Sequence, residues 1–265
     1  MKIAVLGCGP AGMFAAHAAI GHGNQVDIFS KPRKSFMRGA QYLHRPIPGL
    51  STDPFKVDYR LVGSVAGYRD KVYGDDPDLP VSPQSLVGVH DAWDIREAYD
   101  NAWSEYSPLV RDWDASSLAG FEFLDERVNQ YDLVISTIPA KTLCYRVDQH
   151  TFKSEKIWST DFVKHVGIFE DKIGEPIVDN VVICSGDPDD WWYRQSRIQG
   201  YENTEFPYDR KPSTDVVWEV EKPVSNNCDC WPEIRRLGRY GAWRKGILSH
   251  DAFYNVERWL GVVAA

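Results

Sequence analysis

The chain is 265 residues long, enough to bury a full core in one large domain or two smaller ones, and two interwoven lobes are expected. Its net charge of -8 argues against broad, nonspecific adhesion to nucleic acid and lends no support to a local contact with DNA. No apolar run is as long as a membrane span, the N-terminus enters a strand at once, and the 5 cysteines are scattered apart from Cys228 and Cys230; a cytoplasmic protein with reduced thiols, no signal peptide and no membrane attachment is expected.

Lys2 to Leu6 read as an apolar strand running directly into Gly7, Gly9 and Gly12, and Met13 to Ile20 continue at helical density until Gly21 and Gly23 stop the helix. Gly7 permits a tight turn, Gly9 lets the backbone approach a pyrophosphate, and Gly12 lets the helix pack close to the strand. With Pro10 and Ala11 opening the helix, its first amides and its dipole face the phosphates, the pattern of a dinucleotide-binding start. The competing reading is a tight strand-helix turn with no ligand.

Residues 25–30 form the second strand of this βαβ start. A dinucleotide fold usually ends that strand in Asp or Glu to accept from the ribose hydroxyls; here the position is Ser30. Lys31, Arg33 and Lys34 follow, and either favour an extra phosphate or form a solvated loop. His44 and Arg45 lie in the loop 31–55. Lys56 to Tyr73, rich in Val, Tyr and Leu with glycine breaks, predicts strands of a second lobe. Asp94 and Glu97 make a capping box ahead of a helix through Tyr106, with Trp93, Ala98, Ala102 and Trp103 available for packing. Asp132 to Pro139 predicts a return to a parallel sheet, its end reaching the cofactor side. Residues 178–206 suggest a strand, an acidic turn and a second strand-like run, residues 214–220 a further strand, and residues 249–260 a final helix with Ser249 as N-cap.

The opening glycines, the Ser136 to Pro139 strand end and the late Gly238-Arg239 run to Trp243 together resemble FAD-binding flavoproteins of the UDP-galactopyranose mutase and amine oxidase type. The resemblance covers about a third of the chain, at the two ends and the middle. It implies an α/β fold in which a Rossmann-like FAD-binding domain carries an inserted mixed-sheet substrate lobe. The expected FAD domain is discontinuous, over 1–55, 107–150 and 232–265, with the substrate lobe over 56–106 and 151–231. Gly7, Gly9, Pro10, Ala11 and Gly12 then hold the pyrophosphate, Ser30 and Lys31 approach the adenosine ribose, and Thr137 and Pro139 reach FAD from the middle strand. Gly238 and Arg239 begin a late segment that feeds the final helix, placing Gly246 and Ile247 beside the flavin ring. Residues 39–49 also resemble a loop of small FAD-dependent proteins encoded by bacteriophages, which suggests a modified nucleotide or DNA base as substrate.

A flavin carries the redox or nucleophilic chemistry itself, so the chain needs to orient it and exclude water. His250 and Asp251 are candidates for an acid/base pair at the flavin; the alternative is that Asp251 complements a helix dipole while His250 packs. Arg194 follows Trp191, Trp192 and Tyr193 and suits an anionic or planar substrate, or a salt bridge. His44 is a further candidate. Cys228 and Cys230 are the only close thiols and no second Cys/His pair follows at zinc-site spacing, so ordinary packing and no metal are expected, with a redox-active thiol pair as the alternative although so short a separation strains a disulfide. The expected function is an FAD-dependent oxidoreductase or a flavin-assisted rearrangement or lyase acting on a small polar molecule or nucleotide. The alternatives are an NAD(P)-dependent reductase, which Ser30 with Lys31 and Arg33 would suit, and a non-catalytic dinucleotide-binding protein.

Overall fold

A computed structural model describes residues 1–31, 41–74, 81–117, 122, 124, 126, 128–160, 163–164, 169–170, 176–177, 179–213 and 217–261. In chain order its elements are β1 (Lys2–Leu6), α1 (Pro10–Gly21), β2 (Gln25–Ser30), β3 (Phe55–Gly63), α2 (Val65–Tyr73), β4 (Gly88–Ala92), α3 (Ile95–Tyr106), β5 (Val110–Asp112) and β6 (Leu133–Ser136). Then follow β7 (Phe152–Thr160), β8 (Val163–Lys164), β9 (Phe169–Glu170), β10 (Pro176–Ile177), β11 (Val181–Gly186), β12 (Arg194–Ile198), β13 (Tyr201–Pro207), β14 (Val217–Asn226), β15 (Ile234–Arg236), α4 (Gly238–Ala242) and α5 (Asp251–Trp259).

The chain folds as two compact units: Met1–Thr52, Asp94–Ser154 and Pro223–Ala265 form the first, Asp53–Trp93 and Glu155–Lys222 the second. The first is built on a parallel sheet of order β15-β6-β1-β2-β5. Counted from β1 outward this is the doubly wound order, with β2 and β5 on one side and β6 and β15 on the other, so the winding reverses between β1 and β6. Ile3, Ala4, Val5 and Leu6 are all buried, as a strand covered on both faces requires. Helix α1 is buried almost all round through Met13, Phe14, Ala15, Ala16, Ala18 and Ala19 and packs against α3 and α5. Its small side chains make that close approach possible.

The second unit is a mixed sheet of order β14-β7-β13-β12-β11-β3-β4, with β8 paired to β13. Strand β11 runs parallel to β3 and antiparallel to β12. Val181, Ile183, Trp192 and Phe206 form a buried cluster within it. The fold class is therefore the expected one, a Rossmann-like parallel sheet with a mixed-sheet lobe.

The structure differs from the sequence expectations at three places. Residues 65–73 are a helix rather than strand, because the Ser64 side chain accepts from the amide of Gly67 and caps a turn that the glycines alone suggested was a break. Helix α3 belongs to the first unit and not to the inserted lobe, since Ile95, Ala98, Tyr99 and Ala102 turn inward on the side that meets α1. The final helix starts at Asp251 with His250 in the N-cap position, one position beyond the expected cap Ser249, and Asp251 accepts from the amide of Leu248.

Candidate functional site

The glycine turn sits at the carboxyl end of β1, where β1 and β6 part. Gly7 adopts φ of +101°, and a Cβ there would lie 2.6 Å from Thr137 Oγ1. At Gly12 a Cβ would lie only 1.9 Å from the carbonyl oxygen of Gly7, so the first turn of α1 packs directly on the strand end. Around Gly9, by contrast, a Cβ would meet nothing within 4 Å, and the residue is exposed. Gly9 is the N-cap of α1 and contributes no capping side chain, while Pro10 occupies the first turn and no acidic residue does. The amides of Ala11 and Gly12, in the first turn, thus have no intrahelical acceptor and no capping side chain. Tyr99 Oη donates to the Cys8 carbonyl at 2.7 Å and braces the turn from α3.

Two further strand ends meet this turn. Thr137 donates its amide to Leu6 O at 2.9 Å and its hydroxyl to the same oxygen at 3.2 Å. A Cβ on Gly238, which has φ of +70°, would lie 2.9 Å from the Ala11 side chain. Thr137, Gly238, Ala11 and the glycines are therefore one constellation. Pro139 accepts from Thr142 in the turn beyond, and Arg239 directs its guanidinium onto the Pro223 carbonyl at 3.2 Å, an engagement the sequence does not announce. Gly246 is exposed and Ile247 half-buried in the turn before α5.

At the end of β2, Ser30 is in register with Asp112 of β5, and Lys31 pairs with Asp114 at 2.8 Å. Hydrogen bonds from Lys31 and Ser116 hold the Asp114 carboxyl down at about 2. Lys31 is thus already engaged by an anion of the chain. Arg33 and Lys34 lie outside the described residues, as do residues 39 and 40 of the loop 39–49.

His44, Arg45, His250, Asp251 and Tyr254 come together in the first unit. The His44 and His250 rings are 6.2 Å apart, His250 Nε2 is 3.5 Å from Asp251 Oδ1, and Arg45 stacks on Tyr254 at 3.7 Å. Burial, reinforced by His44 and Arg45 and opposed by Asp251, lowers His250 to about 4, so its imidazole is neutral at neutral pH. Its Nδ1 is buried with no hydrogen-bond partner among the described residues. A neutral ring with one unused nitrogen suits a hydrogen bond to a ligand.

Arg194 belongs to the second unit. It pairs with buried Glu205 at 2.8 Å, and Glu205 also takes hydrogen bonds from Tyr193 Oη at 2.6 Å and Lys222 Nζ at 2.9 Å. Burial opposes the Glu205 charge, but Arg194 and Lys222 outweigh it and bring the carboxyl down to about 2. This is the salt-bridge alternative for Arg194, with a partner that sequence spacing does not identify.

No protein-family model matches the sequence, and no curated protein matches it. Solved structures do. A reduced UDP-galactopyranose mutase aligns over 99% of this chain and 94% of its own, with a TM-score of 0.53 and 12% identity. A p-nitrophenol 4-monooxygenase from Pseudomonas putida aligns over 98% and 79% with a TM-score of 0.53 and 12% identity. A flavoprotein/dehydrogenase from Cytophaga hutchinsonii aligns over 97% and 75%, with a TM-score of 0.53 and 13% identity. At these identities the likeness is one of fold. No helix among the described residues is long and apolar enough to cross a membrane.

Proposed function

We propose that the first unit binds FAD and that the protein is a flavin-dependent oxidoreductase, or a catalyst of a flavin-assisted rearrangement or lyase reaction, acting on a small polar molecule. The observation that carries this reading is the uncapped N-terminus of α1, open at Gly9, at the point where the parallel sheet reverses its winding between β1 and β6. The fold shared with a mutase, a monooxygenase and a flavoprotein/dehydrogenase supports it. The residues fit the group: Gly7 and Gly12 close the turn, and Gly9, Pro10 and Ala11 present backbone to the pyrophosphate. Thr137, Pro139, Gly238 and Arg239 flank it. Ser30 takes the ribose end, where Asp112 on the neighbouring strand supplies the carboxylate that Ser30 lacks. FAD, when bound, supplies the redox or nucleophilic chemistry. Gly246 and Ile247 border its ring in this reading, while His250, with Asp251 and His44 beside it, offers a neutral Nδ1 as hydrogen-bond acceptor or proton carrier.

The resemblance of residues 39–49 to bacteriophage flavoproteins adds a modified nucleotide or DNA base as the substrate class to try first. All 5 cysteines are unbridged thiols, in keeping with a cytoplasmic setting.

The test is the absorption spectrum of the purified protein with mass identification of any small molecule released on denaturation. Flavin bands and the mass of FAD are expected, and Gly9→Val abolishes them by filling the space that the pyrophosphate needs. A colourless protein that refuses FAD but binds NADPH transfers the assignment to a nicotinamide enzyme. Bound FAD that no substrate bleaches leaves a dinucleotide-binding protein without turnover.

A further inference from the structure

Expected as packing, Cys228 and Cys230 are instead half of a four-residue cluster. Cys144 and His150, from the turns that follow β6, meet Cys228 and Cys230, from the segment that enters β15, and the four ligand atoms all lie within 4.8 Å of one another. Cys144 Sγ is 3.8 Å from Cys230 Sγ, and His150 Nδ1 is 3.1 Å from Cys144 Sγ and 3.8 Å from Cys230 Sγ. A tetrahedral zinc, with Zn–S of about 2.3 Å and Zn–N of about 2.0 Å, places its sulfurs about 3.8 Å apart and sulfur and nitrogen about 3.5 Å apart. The cluster already has that size. It is too tight for the ligands of a polynuclear iron–sulfur centre, which are spread around several metal atoms, and it has no carboxylate or open position of the kind a hard cation or a catalytic metal takes.

The surroundings carry the same signature. His150 Nε2 is 3.1 Å from Asp229 Oδ1, which orients the ring and leaves Nδ1 for the metal. Arg236 donates to Cys228 Sγ at 3.5 Å and to the Cys230 carbonyl, and Arg146 donates to Asp229. A guanidinium turned toward sulfur suits a thiolate. Three thiolates, a neutral imidazole and Zn²⁺ leave one net negative charge, which these arginines offset. A groove lined by Cys228, Trp231, Pro232, Arg235 and Trp259 reaches the cluster from outside and gives the ion a path in.

We propose that Cys144, His150 through Nδ1, Cys228 and Cys230 form a structural zinc site. Binding of Zn²⁺ forms three Zn–S bonds and one Zn–N bond and releases the three thiol protons to solvent. With four protein ligands the coordination sphere is closed, so the ion acts as a staple. It joins the connection that carries Thr137 and Pro139 to the one that leads through β15 to Gly238, two segments distant in sequence but on adjacent strands.

Metal analysis of the full chain, purified under reducing conditions from zinc-supplemented cells, tests this. The expected result is about one zinc per chain with an X-ray absorption shell of three sulfurs and one nitrogen. Cobalt-exchanged protein shows the visible bands of tetrahedral thiolate coordination. Asp229→Asn keeps all four ligands and lowers zinc affinity about tenfold, and Cys144→Ser lowers it further. The proposal is overturned by a folded chain that takes up neither zinc nor cobalt, by a zinc shell without sulfur, by zinc affinity undiminished in Cys144→Ser, or by a Cys144–Cys230 disulfide in the reduced preparation. None of the four ligands lies in the glycine turn, so metal and flavin content are separate readings and the failure of one leaves the other standing.

Discussion

His250 and Glu205 are buried ionisable groups held in opposite charge states, and both make the protein acid-sensitive. His250 is neutral when folded, at about 4 against 6.5 for the free side chain, so the unfolded chain binds the extra proton between those values. Its stabilising contribution is complete above pH 6.5 and is lost as pH falls toward 4. Glu205 is charged when folded, at about 2 against 4.5, and its contribution is lost in the next window, as pH falls from 4.5 toward 2. Urea unfolding midpoints should therefore decline in two steps, and His250→Gln should remove the upper step alone. At neutral pH, Glu205→Gln leaves the half-buried Arg194 and Lys222 without their counter-ion and should cost about 3 kcal/mol in urea unfolding. An unchanged midpoint would mean that water already screens the pair. The same network explains why Arg194 reads ambiguously from sequence: its partner lies 11 residues away on the neighbouring strand, an interval set by sheet register.

Helices α1 and α3 show two ways of beginning a helix. In α3 the Asp94 carboxylate accepts from the amides of Arg96 and Glu97, and Glu97 adds negative charge to the first turn. That end is closed by the chain itself, and Asp94→Ala should cost about 1 kcal/mol of stability. In α1 the cap is Gly9, with extended backbone at φ of -70° and no side chain to accept. Its first amides receive no side-chain cap from the chain. Gly9→Asp would supply the missing cap in open space, and it should leave the ligand-free protein as stable or raise its stability by a few tenths of a kcal/mol. The same carboxylate repels a pyrophosphate, so FAD retention should be lost. A Gly9→Asp protein that still purifies with flavin would show that the N-terminus of α1 is not the anion site.

Across the whole molecule, each unit is assembled from separated stretches of chain, so neither is obtained by cutting once. A fragment of residues 1–154 lacks the edge strand β15 and helix α5, whose Phe253 stacks on His17 of α1 with ring centroids 5.8 Å apart. It should not give the dispersed amide spectrum of a folded domain, whereas co-expression with residues 223–265 should improve it; a folded 1–154 fragment would contradict this account. The amino-acid sequence by itself determined the features that are local. The strand-glycine-helix opening, the Asp94 cap and the apolar return strand at residues 133–136 are written in consecutive residues, because turn stereochemistry, capping and periodicity act over a few positions. Only the tertiary structure decided what depends on neighbours far along the chain. The parallel pairing of β6 with β15 brings Cys144 and Cys230 within 3.8 Å across 86 residues, sheet register gives Arg194 its carboxylate, and the pairing of β2 with β5 sets Asp112 beside Ser30. Such contacts follow from which strands lie side by side, and strand order is fixed by burial across the whole core rather than by any single stretch of residues.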